Sequence, residues 1–169
     1  VFGSESLDSS VDLQSTHIII KRLNLGDYSG YSVSEAGDVN GDGYADILIG
    51  APYADSGGDS YAGETYVVFG SATGPSGVID VIVSGVDEGD YSGYSVSTAG
   101  DMNGDGYDDI LIGAHGADPG GDSYAGETYV VFGKADGFEA NVDPGALDGN
   151  DGFVLEGIDA FDWSGSSVS

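Results

Sequence analysis

The 169-residue chain sets 30 Asp and Glu against 3 Lys and Arg, for a formal charge of −27 at pH 7, while 40% of its residues are apolar. That apolar content builds a core and excludes a solvated acidic tail. The charge excludes nucleic acid and anionic membranes as partners, because both require cationic contacts. Cysteine is absent, so no disulfide framework and no thiolate chemistry exist. No apolar run approaches the ~20 residues that span a bilayer, so no membrane insertion is expected. Most of the acid is Asp, often beside one of the 31 glycines, a vocabulary of turns and loops that favours an all-β fold.

In chain order, Val1-Phe2-Gly3 opens the sequence and recurs as Val68-Phe69-Gly70 and Val131-Phe132-Gly133. Residues 1–26 therefore read as the trailing part of a preceding repeat. Residues 27–89 form a complete repeat and 90–161 a second one. The start of a further repeat, DWSGSSVS, occupies 162–169. Asp27–Gly70 and Asp90–Gly133 align without a gap over 44 positions and differ at six: Glu35/Thr98, Val39/Met102, Ala45/Asp108, Pro52/His115, Tyr53/Gly116 and Ser56/Pro119. Repetition on this scale points to a propeller, a solenoid or a tandem array.

Within the first repeat, strands are predicted over Gly30–Ser34, Ile47–Ala51, Thr65–Phe69 and Val78–Ser84, all bounded by Gly, Asp, Ser or Pro. The continuous run Ile47-Leu48-Ile49 marks a strand buried on both faces. The looser alternation from Val78 to Val83 marks an outer strand. Four short antiparallel strands per repeat make a β-propeller-type blade. Two blades leave the ring incomplete, so the chain is expected to be a fragment of a longer parent, or to form an open or oligomer-completed array.

Between the first two strands of each repeat lies a nine-residue acidic loop. The first runs Asp38, Asn40, Asp42, Tyr44, Asp46 at its odd positions, and the second Asp101, Asn103, Asp105, Tyr107, Asp109. Calcium takes 6–8 oxygens and tolerates irregular geometry. Side-chain oxygens at positions 1, 3, 5 and 9 and the carbonyl at position 7 (Tyr44 or Tyr107) offer such a set. Gly41, Gly43, Gly104 and Gly106 permit the tight curl. An EF-hand closes with Glu at position 12, which here is Ile49 or Ile112, so the last carboxylate has moved to position 9 and the loop feeds a strand. Mg²⁺ demands stricter geometry, and the absence of His and Cys from the loop disfavours Zn²⁺ and Cu²⁺. Turn chemistry alone explains the glycines but not three carboxylates within nine residues. One Ca²⁺ per complete repeat, two in the chain, is expected.

The stretch GYSVSEAGDVNGDGYADILIGAP resembles the FG-GAP repeat of integrin α-subunit propellers and of bacterial surface proteins. Gly30, Ser32 and Val33 fit its first element, the nine-residue loop its calcium motif, and Gly50-Ala51-Pro52 its last. Ser29 and Ser92 stand where the family has Phe, and the second Gly-Ala-Pro ends in His115. The resemblance implies a β-propeller with Ca²⁺ bound between the first two strands of a blade, and carries over no integrin ligand site.

The connections Asp55–Glu64 and Asp118–Glu127 read as solvated acidic loops, with a looser cation as the alternative. Asp143–Asp151 reads as an ordinary turn. His17 and His115 have no nucleophile beside them, and Trp163 takes the place of Tyr28 and Tyr91 as a packing residue. No carboxylate pair stands apart as catalytic, so the chain is not expected to be an enzyme. The expected function is a calcium-binding extracellular scaffold, secreted or at the cell surface, for adhesion or structural assembly. Its partners are calcium, neighbouring copies or the rest of a longer parent. A carbohydrate- or protein-binding propeller module attached to a secreted hydrolase or lyase is the alternative.

Overall fold

The structure, a computed structural model, describes residues 26–75, 78–135 and 137–169. The expected leading fragment at 1–25, with Val1-Phe2-Gly3 and His17, lies outside the described residues. The strands are β1 (Ser32–Gly37), β2 (Asp46–Ala51), β3 (Glu64–Val68), β4 (Val81–Ser84), β5 (Ser95–Gly100), β6 (Asp109–Ala114), β7 (Glu127–Val131), β8 (Asn141–Val142) and β9 (Gly152–Glu156). They form two sheets, ordered β1-β2-β3-β4-β8 and β5-β6-β7-β9. Each contains the anticipated meander of four antiparallel strands. The fold is all-β, two blades side by side without closure into a ring.

Local chemistry sets the strand limits. The first strand starts at Ser32, not Gly30, because Tyr28 takes φ 54° and the Tyr31 N–H closes a turn on the Tyr28 carbonyl. The fourth starts at Val81, just after Asp80, whose carboxylate accepts from the Phe69 N–H at 2.8 Å. Beyond it, Val81 and Val83 are buried while Ile82 and Ser84 are half-buried, the period-two signature of a strand with one packed face. In β2, Leu48 and Ile49 are both buried with paired strands on either side, as the apolar run predicts. Register shifts at Glu35/Gly37 and Thr98/Gly100 end β1 and β5 in bulges that launch the acidic loops.

The main core lies between the blades. Ala36, Val39, Leu48, Val67, Val81 and Val83 of the first pack against Val96, Ile110, Ile112, Tyr129 and Val131 of the second. Each such large side chain contributes about 1.5–3 kcal/mol when withdrawn from water. A smaller cluster of Ile49, Ala51, Ala54, Tyr66 and Val68 covers the other face of the first blade.

One strand was not foreseen. The second repeat is longer than the first, and its extra residues lie between β7 and β9, where β8 adds in parallel to the free edge of β4. The Ile82 N–H donates to the Ala140 carbonyl at 3.0 Å, and Ser84 Oγ donates to Asn141 Oδ1 at 2.7 Å. The second repeat thus straps the outer edge of the first and covers backbone that an edge strand would expose.

Candidate metal-binding loops

Both acidic loops leave a bulge, curl back and re-enter the sheet at their ninth residue, the first of β2 or β6. In the first, Asp38 reaches across the curl: Oδ1 accepts from the Asp42 N–H at 3.0 Å and Oδ2 from the Gly43 N–H at 2.8 Å. Asn40 Oδ1 accepts from the Asp42 N–H at 2.9 Å, and Asp42 Oδ1 from the Tyr44 N–H at 2.9 Å. The second loop repeats the pattern. Asp101 accepts from the Gly104, Asp105 and Gly106 N–H groups, Asn103 from Asp105, and Asp105 from Tyr107, at 2.7–3.0 Å. The oxygens at positions 1, 3 and 5 therefore face the inside of each curl. Gly41 (φ 74°) and Gly104 (φ 80°) supply left-handed backbone that a larger residue resists.

The ninth residue is different. Asp46 is 1% exposed and Asp109 0%. Asp46 accepts from the Val39 N–H at 3.0 Å and the Gly70 N–H at 2.8 Å; Asp109 accepts from Met102 at 2.8 Å and Gly133 at 2.9 Å. Each ties its loop to the end of the third strand. Burial pushes the Asp46 carboxyl up, against the pull of those N–H groups, and the charges of Asp42 and Asp38 push it further. Asp109 is raised chiefly by burial as well, with Asp105 adding to it. The carboxylates of one loop are therefore close enough to repel each other. Lys134, the one Lys or Arg among the described residues, sits over the Phe138 ring, 5.6 Å from its centroid.

The donor set fits a hard cation: oxygen only, inward-facing at alternate positions, with several negative charges and no basic side chain in the loop. Among the described residues, no three His, Cys, Asp or Glu side chains converge tightly enough to grip an ion on their own. That holds for Asp38, Asp42 and Asp46 and for Asp101, Asp105 and Asp109, whose oxygens are engaged by backbone N–H groups; Asn40, Asn103 and the position-7 carbonyls are the remaining members of the proposed sets. Tyr44 and Tyr107 are placed by their rings: Tyr44 is exposed, while Tyr107 lies against Gly41 of the neighbouring loop.

Residues 29–68 and 92–131 each match the FG-GAP repeat family. The chain carries two FG-GAP repeats. Integrin alpha pat-2 of Caenorhabditis elegans is 35% identical over 161 residues, covering 83% of this chain and 13% of its own length. Mouse integrin alpha-IIb is 38% identical over 92 residues, 52% of this chain and 8% of the relative. Chicken integrin alpha-V is 34% identical over 97 residues, 53% and 9% respectively. The chain thus spans about an eighth or less of the length of these relatives.

Two features of the FG-GAP blades escaped the sequence reading. The first loop is clamped by the second blade: the Asp38 N–H donates to Asp108 Oδ2 at 2.8 Å, and the Lys134 N–H to the Val39 carbonyl at 3.0 Å. The substitution of Asp108 at the place of Ala45 was the available signal. Second, Tyr28, Tyr61, Tyr91, Tyr124, Phe161 and Trp163 all adopt left-handed backbone, with φ between 54° and 68°. Cross-links hold them there: the Tyr91 N–H donates to the Tyr61 carbonyl and the Trp163 N–H to the Tyr124 carbonyl, both at 3.0 Å. The recurring Asp-Tyr-Ser-Gly and Ser-Tyr-Ala-Gly phrases carried that signal. Trp163 is 52% exposed, so it is not the packing residue its alignment with Tyr28 and Tyr91 implied. His115 packs on Tyr94, with ring centroids 4.1 Å apart, and burial pulls its pKa down.

The lesser acidic segments are also resolved. Asp55 and Asp118 accept from the Tyr61 and Tyr124 N–H groups and so shape their own loops. Asp143 and Asp148 accept from N–H groups two residues ahead, as residues of a turn do.

Proposed function

We propose that this chain is a calcium-stiffened scaffold segment of an extracellular adhesion or assembly protein. One Ca²⁺ would be held by Asp38, Asn40, Asp42, the Tyr44 carbonyl and Asp46. A second would be held by Asp101, Asn103, Asp105, the Tyr107 carbonyl and Asp109. The observation that carries this reading is the pair of inward-turned, oxygen-only loops, repeated with one pattern at equivalent places in two blades. The likeness to integrin alpha subunits supports an adhesion-related setting and a location outside the cell. A cation would neutralise the loop carboxylates and join strand to strand, and binding to the folded form alone adds about 2.7 kcal/mol at a hundredfold excess over Kd. Extracellular modules bind calcium at ~10⁻⁴–10⁻³ M, a range matched to fluids outside cells.

The role is read as structural and non-enzymatic, since neither loop presents a nucleophile or a distinctive acid–base pair. A second reading, a protein- or glycan-binding face, is favoured by one observation. Tyr28, Tyr53, Tyr61 and Tyr91 surround a cavity of about 610 Å³ with Asp27 and Asp55 at its margin. Glycan-array binding with and without chelator separates the two.

Calorimetric titration of the decalcified chain tests the main reading. Wild type should take up calcium, with one loop equivalent lost in Asp42→Asn and the other in Asp105→Asn. Uptake unchanged by both substitutions would refute the assignment.

A further inference from the structure

Both acidic loops contain the phrase Asp-x-Asn-Gly-Asp-Gly, and Asn followed by Gly has a chemistry of its own. The backbone nitrogen of the glycine can attack the asparagine side-chain carbonyl, because glycine has no side chain to block the approach. Three things favour that attack. The carbonyl must fold back over the chain, a donor must polarise its oxygen, and a base must take the proton that the nitrogen sheds.

The second loop supplies all three. Asn103 Oδ1 accepts from the Asp105 N–H at 2.9 Å, which folds the side chain back over Gly104 and polarises the carbonyl. Asp101 Oδ1 accepts from the Gly104 N–H at 2.7 Å, so a carboxylate already holds the proton that must leave. Asn103 and Gly104 are exposed, and a Cβ placed at Gly104 meets nothing within 4 Å, so the reacting atoms have room to close. The first loop has the same residues without the same arrangement. Asn40 Oδ1 accepts from the Asp42 N–H at 2.9 Å, but among the described residues the Gly41 N–H meets no acceptor. The Tyr107 ring also lies against Gly41. The other described asparagines lack a following glycine: Asn141 precedes Val142 in β8, and Asn150 precedes Asp151.

We infer that Asn103 is a site of spontaneous deamidation, primed by the Asp101 carboxylate and the Asp105 N–H. The Gly104 nitrogen bonds to Asn103 Cγ while its proton passes to Asp101. The bond from Cγ to Nδ2 then breaks, and the amide nitrogen leaves with that proton as ammonia. Water opens the resulting cyclic imide. Opening at Cγ gives aspartate, and opening at the backbone carbonyl gives isoaspartate. Water is consumed, ammonia is released, and nothing is oxidised or reduced. Aspartate adds a carboxylate between Asp101 and Asp105. Isoaspartate routes the backbone through the side-chain carbon and carries Gly104 and Asp105 out of register with Asp101. A cation in the second loop would engage the oxygens of Asp101 and Asn103 and so withdraw both from the reaction. That protection rests on the calcium reading above; the chemistry of the empty loop does not.

The test is incubation of the full chain in chelator, followed by peptide mass mapping that tells isoaspartate from aspartate by fragmentation. Asn103 should convert, with Asn40, Asn141 and Asn150 slower by roughly tenfold or more. Asp101→Asn removes the base and should slow Asn103 by roughly tenfold or more. Asn103→Gln, whose longer side chain cannot close the same ring, should abolish conversion there. Wild type unfolded in urea serves where a variant fails to fold: both Asn-Gly pairs lose their surroundings and should convert at equal rates. Equal rates at Asn40 and Asn103 in the folded chain would overturn the proposal. So would an Asn103 that stays intact while the unfolded chain converts. With Ca²⁺ at a hundredfold excess over Kd, conversion of Asn103 should slow about a hundredfold. Unchanged conversion in Ca²⁺, with the chelated chain behaving as expected, would remove the calcium reading of the second loop and leave this site standing.

Discussion

The two repeats share all but six of their 44 aligned residues, yet their acidic loops stand in different surroundings. The first loop is an internal element. Val39 is 0% exposed in the inter-blade core, Asp38 is capped by Asp108, and Tyr107 covers Gly41. The second loop lies at the open side of its blade, and Met102, at the place of Val39, is 51% exposed. Several of the six differences follow this asymmetry. Asp108 replaces Ala45 where a carboxylate can reach the neighbouring loop. Gly116 replaces Tyr53 where a Cβ would come within 2.2 Å of the Gly89 carbonyl oxygen. The unchanged residues encode the blade, and these differences encode its position beside another.

The largest expected effect is one the repeats share. Asp46→Ala strands two buried N–H groups and Asp109→Ala one buried and one part-buried, and each should lower stability by about 3 kcal/mol in chelator, measured by urea denaturation. A large loss in one repeat only would mean that the loops are not equivalent at their ninth residue.

The next prediction separates the repeats. Val39→Met overpacks the inter-blade core and should cost about 2 kcal/mol, whereas Met102→Val should stay within about 0.5 kcal/mol. Equal effects would erase the distinction between inner and outer loops. Smaller still, Asp108→Ala removes the cap on the Asp38 N–H and should cost about 1 kcal/mol, with calcium affinity falling at the first loop and not at the second. The reverse exchange, Ala45→Asp, should do nothing measurable.

Where the sequence was legible, the cause was local. Runs such as Ile47-Leu48-Ile49 act within a few residues, so the blade strands were readable, and the Asp-Asn-Asp spacing marked the loops that curl between them. β8 was not readable, because Asn141 and Val142 have no periodicity of their own and become a strand only against β4. The same holds for Asp108, whose partner is 70 positions away. The second role of Asp46 and Asp109, capping Gly70 and Gly133, was hidden because ligand and cap call for the same residue.

The smallest predicted effect is a pH dependence carried mainly by the second repeat. Burial raises the carboxyls of Asp90, to about 6, and of Glu127 above their unfolded values of 3.8 and 4.5. A raised carboxyl binds its proton more tightly in the folded chain. The resulting stabilisation is full below the unfolded values and fades as pH climbs to about 6. In chelator, the melting temperature should therefore be higher at pH 5 than at pH 7, and Asp90→Asn should flatten that slope. A melting temperature that falls from pH 7 to pH 5 would contradict the sign.

The central claim is that each FG-GAP loop holds a calcium ion. Anomalous difference maps from crystals grown in calcium chloride locate the ion directly. The account predicts one peak inside the curl of Asp38, Asn40 and Asp42 and another inside that of Asp101, Asn103 and Asp105. Well-ordered loops without a peak in either, at millimolar calcium, would contradict it.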